Sequence, residues 1–264
     1  MTGIKPDWYQ AINVRCSRRN YARGRHIEAD LKDRLHFTCN SFRPFGSARV
    51  EFISEPPDDI FANAFGFYGN IKNAPAFFAF IGDMSDPHIQ EKMGYTGEGI
   101  ILEATSLGLS TCWAALSYKA GTVKSMLSLD SKEKLMAVSP VGYSTEHWTF
   151  GEKAFSGFGV NHRRNSLSSM VTGLPAAQWP EWARSAVEAA RLAPSAINRQ
   201  PWGFAVGSNS VTVSERGAGP KFNVSRRLDC GIAMLHIELG ALNCGVRGTW
   251  ELLKAPQVAR FTAG

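Results

Sequence analysis

Ala193-Pro194-Ser195-Ala196-Ile197-Asn198-Arg199-Gln200-Pro201-Trp202 lies between a helix-patterned stretch, Trp182–Leu192, and an apolar extended one, Trp202–Val206. Pro194 fixes φ and stops the helix. Ser195 and Asn198 then stand on a short connection that offers a hydroxyl, an amide and backbone groups, and Pro201 starts the extended run. Pro, Ser and Asn are also ordinary turn formers. Alone, the decapeptide reads equally well as a polar ligand loop and as a plain helix-to-strand turn.

Far upstream stands Arg15-Cys16-Ser17-Arg18-Arg19. In an extended piece, alternate side chains share a face, so Arg15, Ser17 and Arg19 would point the same way. Two guanidinium groups and a hydroxyl suit a phosphate; the competing reading is a solvated basic surface run. A third segment, Thr111-Cys112-Trp113-Ala114 after Gly108-Leu109, reads as a short buried strand, and His162-Arg163-Arg164 as a second basic spot.

Taken together these segments resemble the FMN-dependent nitroreductase family. The decapeptide is similar to that family's flavin-contacting loop, and Arg15-x-Ser17-x-Arg19 to its N-terminal phosphate motif. The resemblance implies a cofactor site built from Arg15, Cys16, Ser17 and Arg19 at the phosphate and from Pro194, Ser195, Ala196 and Asn198 at the ring. Thr111, Cys112 and Trp113 would lie beside the ring, with backbone amides tuning it. Arg163 and Arg164 resemble a late basic motif that also reaches the phosphate. The implied chemistry is hydride transfer from NADH or NADPH to FMN, then to an electron-poor small-molecule acceptor such as a nitroarene or quinone. The flavin carries that chemistry, so no side chain is assigned a catalytic role. A flavin-binding or flavin-sensing protein without turnover, and a scaffold whose site has decayed, are the alternatives.

An internal repeat refines the reading. Gly94–Trp113 superimposes on Gly231–Trp250 at an offset of 231 − 94 = 137, with identities at Gly94/Gly231, Ile100/Ile237, Leu102/Leu239, Ala104/Ala241, Gly108/Gly245 and Trp113/Trp250. Both copies read as apolar, small-residue helices (Gly94–Leu107 and Gly231–Cys244) that end near a glycine. Upstream, Arg43-Pro44-Phe45-Gly46 resembles Gln200-Pro201-Trp202-Gly203, while Pro-Ser-x-x-Asn has become Phe37-Thr-Cys-Asn-Ser41 in the first copy. One copy keeps the phosphate motif and the other keeps the ring loop. Family members are homodimers with FMN between subunits, so the resemblance implies two fused half-repeats forming an internal pseudo-dimer: residues 1–172 with a crossover, then a shorter 173–264.

The coarse order is helix Pro6–Val14, helix Ile27–Leu35, strand Ala48–Ile53, short helix Ile60–Phe65, strand Ala76–Ile81, the first repeat helix, and strands near Thr111–Ala115 and Ala137–Gly142. Helix Trp182–Leu192, a hairpin (Phe204–Val206, Val211–Ser214), the second repeat helix and a tail through Trp250 follow. Mixed strands and helices imply an α/β or α+β fold with one fused core.

The 264 residues are 44% hydrophobic and 20% charged, with 29 Lys+Arg against 23 Asp+Glu, a net charge of +6. The basic residues form no stripe interleaved with aromatics, which argues against a nucleic-acid partner. No apolar run approaches a membrane span. Five cysteines at irregular spacing fit neither a disulfide framework nor a metal site and favour a reducing cytoplasm. Gly151–Gly159 matches neither a P-loop nor a dinucleotide fingerprint. His236 reads as a core histidine and Tyr143 as structural. A fused pseudo-dimer is expected to be a monomer in solution.

Overall fold

Two helices of eighteen residues each, α3 (Ile89–Ser106) and α7 (Arg226–Asn243), begin and end at the repeat offset: 226 − 89 and 243 − 106 are both 137. Their C-terminal ends also correspond. Gly108 and Gly245 both take left-handed backbone, at φ 77° and 74°. Leu109 N–H donates to Ala104 O, and Val246 N–H to Ala241 O, each at 3.0 Å. This left-handed cap closes a helix at little cost only with glycine. The sequence places both starts five residues too late, at Gly94 and Gly231. Those glycines are interior helical positions, and the start of α7 is set by Ser225, whose side chain accepts from Arg227 N–H at 3.2 Å.

The computed structural model describes residues 3–61, 71–115, 118–148, 152, 163–217 and 224–264. It divides into two compact units that are not consecutive in sequence. The first comprises Met1–Gly3, Val14–Ile89 and Ile100–Arg163; the second comprises Ile4–Asn13, Gln90–Gly99 and Arg164–Gly264. A single cut after residue 172 therefore does not separate the two bodies. Most of the expected short helix Ile60–Phe65, His162, and Gly151–Gly159 apart from Glu152 lie outside the described residues.

The first unit holds helix α2 (Ala29–Ser41) and strands β1 (Ala48–Ser54), β2 (Ala76–Asp83), β3 (Ser110–Thr111) and β4 (Glu133–Gly142), with short helix α4 (Ala120–Ser125) between the last two. The sheet order is β1-β2-β4-β3, antiparallel throughout. β2 is buried on both faces except at its last residue, which explains its unbroken apolar run Ala76–Ile81. Tyr21, Phe61, Phe77, Ala79, Val123 and Val138 form the core on one side.

The second unit holds α1 (Asp7–Val14), α5 (Leu167–Met170), α6 (Glu181–Arg191) and α7. Its strands are β5 (Val171–Gly173), β6 (Trp202–Val206), β7 (Ser210–Glu215), β8 (Gly248–Leu252) and β9 (Gln257–Ala263). Its order is β5-β6-β7-β9-β8, with β5 parallel to β6 and the rest antiparallel. Without β5, that order repeats the first sheet: a hairpin pair, then the fourth strand, then the third at the edge. The tail expected to include Thr249-Trp250 is thus an antiparallel strand pair, β8 and β9. α7 is buried from Leu228 through Ala241, as a helix apolar on all sides must be.

α3 and α7 meet in the second unit through their aligned glycines. A Cβ at Gly94 would lie 2.0 Å from Leu228 O, and one at Gly231 would lie 2.0 Å from Glu91 O. Because 228 − 91 is also 137, the crossing is reciprocal. α6 packs on α7 in the same manner, with Gly240 against the Ser185–Ala186 backbone.

In the first unit α2 runs on to Ser41, six residues past the expected end at Leu35. Phe37–Ser41, the counterpart of the ring loop, is therefore helix. Phe37 stands where the second copy has Pro194, so no proline stops the helix there; the next one, Pro44, comes three residues past Ser41.

Candidate functional site

Two clusters contain the residues singled out from the sequence, one in each unit. In the first, Arg15–Arg19 leads directly out of α1 as extended chain. Ser17 bridges to Thr111 in parallel, and Arg18 N–H donates to Thr111 O at 3.0 Å. The phosphate-type motif and the Thr111-Cys112-Trp113 segment, 94 positions apart (111 − 17), are thereby neighbours. Arg15 is buried, Cys16 and Arg19 are half-buried, and Ser17 is exposed.

Arg18, which sequence reasoning passed over, anchors the segment. It is 6% exposed, and its guanidinium donates to Glu152 Oε1 (3.2 Å), Ser144 Oγ (2.9 Å) and Thr145 O (2.7 Å). Glu152 Oε1 also accepts the backbone N–H groups of Arg19 (2.8 Å) and Asn20 (3.2 Å). A buried arginine holding one carboxylate this way is structural and fixes the register of its neighbours. Its signal in sequence was only the unbroken Arg18-Arg19 pair.

Thr111 is 1% exposed, and its hydroxyl has no hydrogen-bond partner among the described residues. The expected backbone donors beside it are partly used: Cys112 N–H donates to Ser139 Oγ at 3.1 Å and Ala114 N–H to Val138 O at 2.8 Å. Trp113 stacks on Phe80 with centroids 4.2 Å apart. Burial raises the Cys16 thiol above its ordinary range, against the lowering effect of Arg15 and Arg18. None of the five cysteines is in a disulfide.

The second cluster is the loop between α6 and β6. Pro194 is buried; Ser195, Ala196 and Asn198 are half-buried. Three residues other than glycine take left-handed backbone within four positions: Ile197 (φ 52°), Asn198 (55°) and Gln200 (48°). Such a conformation costs roughly 1–2 kcal/mol per residue. Side chains hold it. Ser195 Oγ accepts from Gln200 N–H at 2.9 Å, and Gln200 Oε1 accepts from Asn165 N–H at 2.8 Å. Arg164 donates from Nη1 to Asn198 Oδ1 at 2.6 Å and from Nη2 to Leu192 O at 3.0 Å. Arg164 thus joins the ring loop in the second unit, while Arg163 is exposed at the end of the first.

Asp229, in the first turn of α7, closes the loop from below. It is 2% exposed and accepts from Ala196 N–H (3.2 Å) and Arg199 Nε (2.8 Å). Burial raises its carboxyl from 3.8 to about 6, although Arg199 and the Ala196 amide pull it down. The folded chain therefore binds more protons than the unfolded one between those values, so this contribution to stability is full below about 3.8 and is lost as pH rises through about 6. From pH 4.5 to pH 7.5, wild type should lose about 2 kcal/mol relative to Asp229→Asn, which cannot titrate there. Parallel denaturant titrations check this. A difference that stays flat with pH would show that Asp229 titrates like an exposed aspartate.

His236, at 0% exposure, contacts Ala189 O (3.0 Å) and Glu98 Oε1 (3.1 Å) through its two ring nitrogens and is a satisfied core residue. Tyr143 donates to Glu28 at the surface. Among the described residues no group of His, Cys, Asp or Glu is placed to hold a metal, and no helix is long and apolar enough to cross a membrane.

Comparison with known proteins gives the family and the fold. The family model described as "Putative TM nitroreductase" matches residues 7–241. A solved structure from Thermotoga maritima, described as a putative nitroreductase, superimposes with a TM-score of 0.61 at 21% identity, covering 97% of this chain and 93% of that one. An FMN-dependent nitroreductase from Clostridium difficile R20291 aligns at 18% identity and TM-score 0.43 over 59% of this chain and 98% of its own. A Bacteroides fragilis nitroreductase with bound FMN aligns at 16% and 0.42 over 55% and 91%. No curated protein matches the chain. The full-length superposition establishes a nitroreductase-like mixed α/β fold, and with the family match over most of its length the chain belongs to this nitroreductase family of oxidoreductases.

Proposed function

We propose that the protein binds FMN and passes reducing equivalents from NADH or NADPH to an electron-poor small molecule, such as a nitroarene or quinone. The observation that carries this reading is the Pro194–Gln200 loop. It keeps three left-handed non-glycine residues in place through a dedicated set of side chains, and held backbone strain of that kind clusters at ligand contacts and active sites. The first cluster supports it. A buried guanidinium at Arg15, a neighbouring serine hydroxyl and the orphaned Thr111 hydroxyl are the donors a phosphorylated flavin requires.

In this reading Arg15, Ser17 and Arg19 hold the phosphate, while Arg18 and Glu152 keep that segment extended. Ser195, Asn198 and the backbone of Pro194 and Ala196 face the ring, with Arg164 fixing the Asn198 amide. Thr111, Cys112 and Trp113 line the ring's other approach. The bound flavin supplies the hydride chemistry; the chain orients it and limits water, with no acid or base residue assigned. Residues 1–172 and 173–264 act as fused half-repeats of an internal pseudo-dimer, with one complete pair of motifs and hence one FMN per chain. The helical state of Phe37–Ser41 supports that count. A monomer working in the reducing cytoplasm fits the five unpaired thiols.

The test is the spectrum of the purified protein with FMN quantified per chain, before and after adding NADH or NADPH under exclusion of oxygen. One flavin that bleaches supports the proposal. A flavin that persists favours a binding or sensing role, and two flavins per chain would mean that the first repeat retains a working loop. Arg15→Ala should weaken FMN binding by about 1.5–3 kcal/mol, the worth of a hydrogen bond to a charged group, or 10- to 150-fold in Kd. Fluorescence titration measures it, and an unchanged Kd would make Arg15 a purely structural cation.

A further inference from the structure

We propose that Asp229 is a positioning residue that sets the conformation of the Pro194–Gln200 loop and, through it, the placement of Asn198. The inference rests on the functional reading above, in which that loop faces the flavin.

Ile197 is β-branched, takes φ 52°, and its residue is 45% exposed, so little apolar burial offsets its strain. Asn198 and Gln200 add two further left-handed positions. Of the three, only Asn198 is a residue that takes left-handed backbone readily, and glycine is absent from Ala193–Trp202. Backbone bonds within the loop, Asn198 N–H to Ser195 O at 2.9 Å and Arg199 N–H to Ala196 O at 3.1 Å, are joined by a restraint from outside it. One carboxylate takes the N–H of Ala196, just before the left-handed pair, and the guanidinium of Arg199, just after it. Arg199 is itself braced by donating from Nη2 to Val224 O at 3.0 Å. The two oxygens of Asp229 thus hold both ends of Ile197-Asn198 on the rigid first turn of a buried helix.

The remaining contacts depend on that grip. Gln200 N–H reaches Ser195 Oγ, and Gln200 Nε2 donates to Asn198 O at 3.2 Å, only while the chain between them doubles back. Arg164 meets Asn198 Oδ1 only where the loop presents it. Other charged or titratable groups near Asp229 are Cys230, whose fully buried thiol donates to Pro201 O at 3.7 Å just past the loop, and Arg227, Glu215 and Glu91 beyond it. A charged aspartate buried this deeply is a poor choice for stability alone. Its two loop bonds are what it provides.

The experiment compares wild type with Asp229→Asn in the full chain. Asn keeps the size and one acceptor oxygen but removes the charge that pairs with Arg199. Expected are at least tenfold faster hydrogen exchange at the Ala196 and Gln200 amides of the flavin-free protein and unchanged exchange at Ile237 and Leu239. With FMN added, Kd rises at least tenfold and the visible spectrum moves towards that of free flavin. If wild type binds FMN and the variant matches it in Kd, spectrum and loop exchange, the inference is overturned and the functional reading stands. If wild type binds no FMN, the functional reading falls and the inference with it. Should Asp229→Asn fail to fold, Asp229→Asn with Arg199→Gln, which removes both buried charges, carries the same measurements. Failure of both to fold would overturn the inference by making Asp229 a residue of the fold rather than of the loop.

Discussion

Gly231→Ala is expected to destabilise the protein by about 3 kcal/mol, and Gly94→Ala by a similar amount, among the largest effects of any single methyl group in this chain. In an unencumbered helix the same change would stabilise by up to about 1 kcal/mol. Here the new Cβ of residue 231 would sit 2.0 Å from Glu91 O and 2.7 Å from Glu91 Cα, and that of residue 94 would sit 2.0 Å from Leu228 O. These obstacles are helix backbone, which no rotamer change removes. The helices must separate or tilt, and α7 is buried on every side, so the shift would spread to α6 and to the strands beneath. Gly121→Ala is the control: it is also helical, but nothing lies within 4 Å of the added methyl. Denaturant titration of the three variants decides the matter. If Gly231→Ala were as stable as Gly121→Ala, the close crossing of the two repeat helices would be wrong.

That crossing was half legible in the sequence. The 137-residue offset, the paired Gly94 and Gly231 and the paired caps at Gly108 and Gly245 are local signals, and each has its structural counterpart. The helix starts were not legible. Reading a glycine as a boundary is sound when it lies outside a helix, but these two glycines are needed inside, where partner backbone leaves no room for a side chain. Likewise Phe37–Ser41 carries Thr, Asn and Ser, residues typical of turns, yet stays helical because no proline interrupts α2 and Thr38 bonds back to Arg34 O at 2.9 Å. The strand pair that includes Trp250 was hidden for another reason. Gln257–Ala263 alternates only loosely, and one of its partner strands, β7, ends 42 positions earlier (257 − 215), a pairing that no local signal marks.

The two clusters show the same division. Pro194, Ser195 and Asn198 could be named because the stretch resembles a family motif; their residue types alone fit an ordinary turn equally well. Arg18, Glu152, Arg199 and Asp229 could not, because they work through partners 30 to 134 positions away. A sequence announces a motif on one short segment more readily than the distant groups that hold it in place.

Arg227→Met should cost about 3–5 kcal/mol, the usual penalty for stripping a buried charge of its partner. Arg227 grips Glu91 with two nitrogens, Nη2 to Oε1 at 2.5 Å and Nε to Oε2 at 3.0 Å, and the Glu91 side chain is wholly buried. The same guanidinium donates to Leu253 O and Gln257 O, each at 3.0 Å, so it also ties α7 to the chain between β8 and β9 and to the first residue of β9. Methionine fills much of the volume but leaves the carboxylate without this cation. Glu91→Gln combined with Arg227→Met removes both charges and should recover at least 1 kcal/mol of the loss, by roughly the cost of an unpaired buried ion. Chevron or equilibrium unfolding of the two variants supplies the comparison. The pair also tests how far the repeats have diverged. At the offset of 137, the positions equivalent to Glu91 and Arg227 are Leu228 and Gln90, which carry no charge. A symmetric dimer of identical chains would have to make this ion pair twice or not at all; a fused chain makes it once. A loss below about 1 kcal/mol would mean the pair is well solvated and that the crossing is held by packing at Gly94 and Gly231 alone.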